Sequence, residues 1–275
     1  VNVYFLRIAT VFYLAGSILY LYYIAFMQEK AARLGKYVLI SGCGIHLIGF
    51  VFRYFEAGHT PITNLFESLS FFAFSIMLIF LIVEERYKLK VLGAFVAPIA
   101  FIFILFSAFL SAEIQLIPPA LQSYWLPIHV TLLFVGDAIF AVAFAVGIIY
   151  LIQEKQLKKK RLGPLMRRLP PLDTLDEINH KCLTFGFPFL TVGIITGSIW
   201  AEYAWGSYWS WDPKETWSLI TWLLYAALLH GRLTVGWRGR KAAILAIIGF
   251  GAILFTFLGV NLLLPGLHSY SSLAR

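Results

Sequence analysis

The chain has 275 residues, of which 60% are hydrophobic and only 13% charged, and its mean hydropathy is +0.80. These values exclude an ordinary soluble domain and point to a polytopic membrane protein. Two cysteines, Cys43 inside an apolar segment and Cys182 at the start of another, are too few for a disulfide framework or a thiolate metal site and read as small core residues.

A spanning helix needs about 20 mostly apolar residues. Eight segments qualify, running Val3–Met27, Tyr37–Phe55, Leu65–Val83, Val91–Leu110, Ile128–Ile152, Cys182–Trp200, Trp217–Val235 and Ala242–Leu263. Each is too long for a signal-peptide apolar region, and no cleavage site follows the first. No internal repeat or separate soluble domain is visible, so residues 1–275 read as one all-α membrane domain with eight transmembrane helices.

Short cytoplasmic loops collect lysine and arginine. The connections Gln28–Lys36, Glu84–Lys90, Gln153–Ile178 and Arg232–Lys241 hold seventeen such residues, whereas the alternate connections and both ends hold two, Lys214 and Arg275. This asymmetry predicts both termini on the outer side, together with the loops around His59, Trp125 and residues 200–217. The net charge of +8 is therefore a topology signal and not a nucleic-acid footprint. The longest inner loop mixes basic residues with leucines and ends in Pro170-Pro171, which reads as a tether on anionic lipid. No phosphate-cradling glycine loop supports an ATP-driven step.

One stretch stands apart. Trp200 to Trp222 holds six of the eight tryptophans. Interfacial belts account for two or three indoles at a membrane boundary, but not for six in one loop when other loops carry at most one. Gly206, Ser207 and Ser210 between the rings suit a flat aromatic surface. Asp212, Pro213 and Glu215 occupy the N-cap, N1 and N3 positions of a helix start, a capping box. Asn64 and Glu67 have the same spacing.

The predicted topology assigns depths to the six histidines. His59, His129 and His268 are at the outer rim, His46 and His230 lie within spanning helices, and His180 is at an inner boundary. Histidine is a common metal ligand, and His129 and His268 share the layer of the tryptophan-rich loop.

WGSYWSWDPKETW, from Trp205 to Trp217, resembles the tryptophan-rich WWD signature of the haem-handling proteins of cytochrome c biogenesis. GHTPITNLFESL (Gly58 to Leu69), WLPIHV (Trp125 to Val130), LLHGR (Leu228 to Arg232) and GVNLLLPGLHSY (Gly259 to Tyr270) are similar, in order and approximate spacing, to the CcsA/ResC branch of the System II cytochrome c synthase. The resemblance implies haem b, transported and presented as substrate, with His129 and His268 as axial ligands of an outer haem. Trp205, Trp209, Trp211 and Trp217 would stack against or edge the macrocycle. His230 would ligate a second haem within the membrane, opposite either His46 or a histidine of a CcsB/ResB-type membrane subunit; the bland role of His46 is a helix-packing hydrogen bond. His59 is a candidate contact for haem or for the incoming protein. Arg53 is the charge best suited to a haem propionate.

The implied activity is carriage of haem across the membrane and its presentation to a CxxCH apocytochrome c for thioether attachment, as part of a holocytochrome c synthase complex. The implied setting is a bacterial inner membrane, or a thylakoid membrane for a plastid-encoded chain. Two alternatives are a delivery protein like the System I members CcmC and CcmF without attachment activity, and a membrane b-type cytochrome that only transfers electrons.

Overall fold

A computed structural model describes residues 1–114, 118–160 and 169–264, and among them every regular element is helical. Eight of these helices are long and apolar enough to cross a membrane: α1 (Asn2–Phe26), α2 (Glu29–Ala57), α3 (Leu65–Tyr87), α4 (Lys90–Ala108), α5 (Trp125–Lys158), α6 (Leu172–Trp205), α7 (Pro213–Val235) and α8 (Arg240–Leu263). The last turn of α7, Gly231–Val235, is π-helical, and a second π-helical turn at Phe255–Gly259 interrupts α8. The protein is thus an all-α, eight-span membrane protein.

Apart from α1 and α4, which keep about the expected length, the helices overrun the apolar segments that announce them. α5 and α6 each have 34 residues, a length of about 51 Å at 1.5 Å per residue, against a hydrocarbon core of about 30 Å. An apolar run measures the crossing, whereas the helix continues through good helix formers such as the Gln-Glu-Lys-Gln-Leu-Lys end of α5 until its backbone bonds are broken.

The chain, read from its sequence as one domain, packs as two compact units. The first contains α1 to α4 with the end of α5; the second contains the rest of α5 with α6 to α8. In the first unit, α1 and α2 meet along a glycine seam. Gly35 faces Leu19 and Tyr20, Gly42 faces Phe12 and Tyr13, and Gly49 faces Phe5 and Leu6. Both sets step by seven residues in antiparallel sense, the period that keeps one face of a helix against its neighbour. A Cβ at Gly42 would stand 2.7 Å from that of Phe12, so close approach of the backbones requires glycine there. Tyr13 and Tyr20 are fully buried at this seam, and the Tyr20 hydroxyl donates to Glu84 on α3 at 2.7 Å.

The start of α3 is held by a buried ion pair. Asn64 accepts the Glu67 N–H at 2.9 Å, as an N-cap should. The Glu67 carboxylate returns to the Thr63 N–H at 2.9 Å, one residue before the cap, while its other oxygen accepts from Arg53 Nε at 2.9 Å. Arg53 also donates to the carbonyls of Ala112 and Glu113 at 2.6 and 3.3 Å. Both side chains are 1% exposed, so the guanidinium that the sequence offers to a propionate is engaged inside the unit.

The second unit is built on an α5–α6 seam. Gly136 packs on Gly186 and Leu190, Gly186 takes the Phe140 ring, and Gly193 takes Leu133. α7 joins α6 where Trp222 Nε1 donates to Thr191 at 2.9 Å, and joins α5 where Tyr225 stacks on Phe140 at 3.7 Å. Its contacts with α8 include Trp217 against Phe255, 4.3 Å between ring centres, and Thr221 with Thr256 at 3.1 Å.

Candidate functional site

The tryptophan-rich segment links α6 to α7 within the second unit. α6 stops because Gly206 turns left-handed, with φ 72°, and donates its N–H to Glu202 at 2.9 Å; glycine enters that region without a Cβ penalty. α7 starts on the expected capping box. Asp212 accepts the Lys214 N–H at 2.9 Å, and Glu215 returns to the Asp212 N–H at 3.2 Å. Pro213 stands at N1, where no N–H is needed.

Glu215 does more than close the box. The oxygen that accepts from Asp212 also accepts the Ser210 N–H, at 2.8 Å, and the Ser210 hydroxyl lies within 3.3 Å of the carboxylate. Between the two bonded amides stands Trp211, which has φ 59°, a region that costs a residue with a Cβ about 1–2 kcal/mol. Its side chain is directed outward, 69% exposed, and meets Trp209 edge to face at 5.8 Å. Ser207 Oγ donates to the Trp209 carbonyl at 3.0 Å and Thr216 Oγ1 to the Trp211 carbonyl at 3.3 Å.

His129, in the first turn of α5, lies across α6. Its Nδ1 is 2.7 Å from the Gly193 carbonyl. A carbonyl only accepts, so Nδ1 carries the proton and a neutral ring keeps its lone pair on Nε2. This is the arrangement in which metal-binding imidazoles are commonly held. The ring stacks on Trp200 at 6.0 Å and 21°, and Trp200 meets Trp205 edge to face at 5.0 Å. Gly197 makes the position available, because a Cβ there would overlap the imidazole. Gly193 and Gly197 are absent from the residues singled out by sequence, and Trp200 enters there only as the first of the tryptophan-rich stretch. The Gly-x-x-x-Gly spacing in GIITG was the legible signal, being a pattern that lets membrane helices approach.

The Lys214 amine donates to Asn261 on the last turn of α8 at 3.2 Å, tying the start of α7 to the helix that precedes the chain's end. His268 lies outside the described residues. Trp205, Trp209, Trp211 and Trp217 all belong to this end of the unit, although Trp217 is engaged with Phe255 in the α7–α8 packing. His230 is at the opposite end of α7, thirteen residues from Trp217, or about 20 Å along the axis. It is exposed and immediately precedes the π-helical turn, a feature frequent at functional sites. Two residues on, Arg232 makes two bonds to Asp176 of α6, at 2.6 and 2.9 Å.

The remaining candidates belong to the first unit. His46 is fully buried; its Nδ1 meets the Tyr13 hydroxyl at 3.2 Å and its Nε2 the Ser70 hydroxyl at 2.9 Å. The ring stacks on Phe50 at 4.7 Å. Both nitrogens are engaged, so these partners are those of a packing hydrogen bond. His59 donates through Nδ1 to the Thr60 carbonyl at 3.0 Å, and its Nε2 is buried with no hydrogen-bond partner among the described residues. In the second unit, Asp137 Oδ1 and the Tyr225 hydroxyl are likewise buried without a partner among the described residues.

The family described as cytochrome C assembly protein matches residues 62–268. Similar curated proteins include the cytochrome c biogenesis protein CcsA of Chlamydomonas reinhardtii, 43% identical over 79% of this chain and 63% of that protein. CcsA of Synechococcus elongatus is 39% identical over 79% of this chain and 81% of its own length. The chain thus spans less than two thirds of the algal relative. Among solved structures, the cytochrome c haem lyase CcmF superposes with a TM-score of 0.69 at 20% identity, over 92% of this chain and 46% of that one, a likeness of fold. With the family matched across three quarters of its length and CcsA proteins alike over most of it, the chain belongs to the cytochrome c assembly protein family, on its CcsA-type branch, and acts in cytochrome c maturation.

Proposed function

We propose that the protein carries haem b to the outer face of the membrane and presents it at the tryptophan-rich end of the second unit for attachment to a CxxCH apocytochrome c. The observation that carries this reading is the state of His129. Its Nδ1 donates to Gly193 and its ring is braced by Trp200, so the neutral imidazole is held in the tautomer with its lone pair on Nε2, beside a loop of indoles. Those residues fit a porphyrin, which supplies four equatorial nitrogens itself and asks the protein for axial ligands and aromatic walls. His268 would supply the second outer ligand. His230 would hold a membrane haem upstream, opposite a histidine of a CcsB/ResB-type subunit, since both nitrogens of His46 are engaged. His59 remains a candidate contact for the incoming apocytochrome.

The bound haem supplies the vinyl groups, and attachment adds a cysteine S–H across each vinyl C=C bond with no leaving group. The chain's part is orientation: the rings of Trp205, Trp209 and Trp211 bound the seat and exclude water, and the imidazoles hold the iron until the substrate's own histidine takes a ligand's place. The setting would be a bacterial inner membrane or a thylakoid membrane, in line with the cyanobacterial and algal relatives.

The test is an absorption spectrum of the purified protein, alone and with its partner subunit. His129→Gly should lower haem occupancy, and added imidazole should restore it; an unchanged spectrum would assign the iron to other ligands. Thioether formation on a CxxCH protein by the purified complex separates a synthase from a delivery protein or an electron-transfer cytochrome. A cysteine placed at Ser207 should be labelled only from outside, and one at Lys159 only from the cytoplasmic side.

A further inference from the structure

Trp211 is a conformational anomaly within the tryptophan-rich loop. Among the described residues, the other non-glycine positions with positive φ are Met27, Lys88 and Lys160. Met27 and Lys88 are helix C-caps, and Lys160 closes a turn just past the end of α5. A left-handed residue is ordinary at the close of a helix. Trp211 instead precedes one, and a bulky side chain in that region persists only where its surroundings over-determine it. The surroundings here are the Glu215 carboxylate, with Thr216 Oγ1 on the Trp211 carbonyl at 3.3 Å beside it. Glu215 Oε2 accepts the N–H of Ser210 at 2.8 Å and of Asp212 at 3.2 Å; the second amide lies in the peptide plane that follows Trp211 and the first in the plane that precedes Ser210, so the carboxylate bridges the turn that contains Trp211 and holds it closed. An ordinary capping box would use only the second of these bonds.

We infer that Glu215 is the positioning residue of the tryptophan-rich seat: its carboxylate holds Trp211 left-handed and so directs that indole outward as a wall of the outer haem site. The Glu215 carboxylate does not itself touch the haem in this arrangement; it acts through Trp211. Glycine at position 211 would take up the same backbone angles without help, but would bring no ring. Glutamine at 215 would retain an acceptor oxygen with the same reach. The inference rests on the reading of the loop as a haem seat, while the clamp itself is a statement about Trp211 alone.

The experiment therefore reads both. Full-length protein containing 5-fluorotryptophan is purified in detergent, and the fluorine resonance that vanishes in Trp211→Gly is assigned to Trp211. Glu215→Ala should shift or split that resonance and weaken outer haem by about two- to tenfold, the range of one aromatic contact. Glu215→Gln should leave the resonance in place and haem within about twofold, because glutamine serves at the same position of a capping box. In a Trp211→Gly background, Glu215→Ala should lower haem no further, the signature of two residues acting as one. Should Glu215→Ala alone fail to accumulate, the comparison of Trp211→Gly with the double variant carries the test, since the strain is absent from both. An unmoved Trp211 resonance in Glu215→Ala, or a further loss of haem in the double variant, would overturn the inference. Wild-type protein without haem at the outer site would instead refute the seat, leaving the fluorine signal to decide the clamp.

Discussion

The starts of α3 and α7 use the same short device, a polar N-cap followed three residues later by glutamate, and put the glutamate to opposite uses. Glu67 is 1% exposed and divides its oxygens between Thr63 and Arg53, so its corner is closed on itself. Glu215 directs its carboxylate to the backbone around a tryptophan that is 69% exposed, so its corner is built to display a side chain. The two histidines follow the same division. His46 has hydroxyls at both nitrogens, whereas His129 is fixed at Nδ1 by a carbonyl. A satisfied polar group inside a membrane protein stabilises packing, and an imidazole whose Nδ1 donates to a carbonyl has its tautomer set, with the lone pair of the neutral ring on Nε2.

The sharpest way to break this comparison is at the closed corner. Removing one partner of a buried, hydrogen-bonded ion pair costs about 3–5 kcal/mol, so Arg53→Ala or Glu67→Ala should lose most of the thermal stability or fail to accumulate. The paired replacement Arg53→Met/Glu67→Leu should recover much of it. A single variant that melts like the wild type would show the corner to be less closed than its geometry.

Next in size is Gly197→Ala. The added methyl overlaps the His129 ring, and overpacking of this kind costs about 1–3 kcal/mol. Haem occupancy should fall with it, but not further in a His129→Gly background; equal losses in both backgrounds would mean that Gly197 acts on helix packing alone. His46→Leu is the reciprocal case. It strands the Tyr13 and Ser70 hydroxyls, at about 1–3 kcal/mol for unsatisfied buried groups, and should lower the melting temperature while leaving the haem spectrum as it was. A changed spectrum would bring His46 back as a ligand.

The smallest expected effect is at the displayed corner. Trp211→Gly removes a left-handed strain of about 1–2 kcal/mol, partly offset by the greater backbone freedom of glycine in the unfolded chain. The melting temperature should hold or rise slightly while haem binding weakens. A clear loss of stability would show that the indole is part of the core, in conflict with its exposure.

Much of this architecture is written locally. Eight apolar runs dictate eight helices because backbone polar groups in hydrocarbon must be satisfied within the segment. Asp212-Pro213 and Glu215 specify the start of α7, and Asn64 that of α3, because a cap needs only residues three or four apart. The glycines at 35, 42 and 49 announce a seam, but not which helix fills it. Tertiary structure alone decided what each polar group finds. It divided the eight helices into two units, gave Glu67 to Arg53 and Glu215 to the flanks of Trp211, and surrounded His46 with hydroxyls while setting a carbonyl and Gly197 beneath His129. A histidine or a glutamate reads the same in every sequence; its hydrogen bonds, and with them its capacity for chemistry, depend on residues many positions away that only the packing of helices brings within 3 Å.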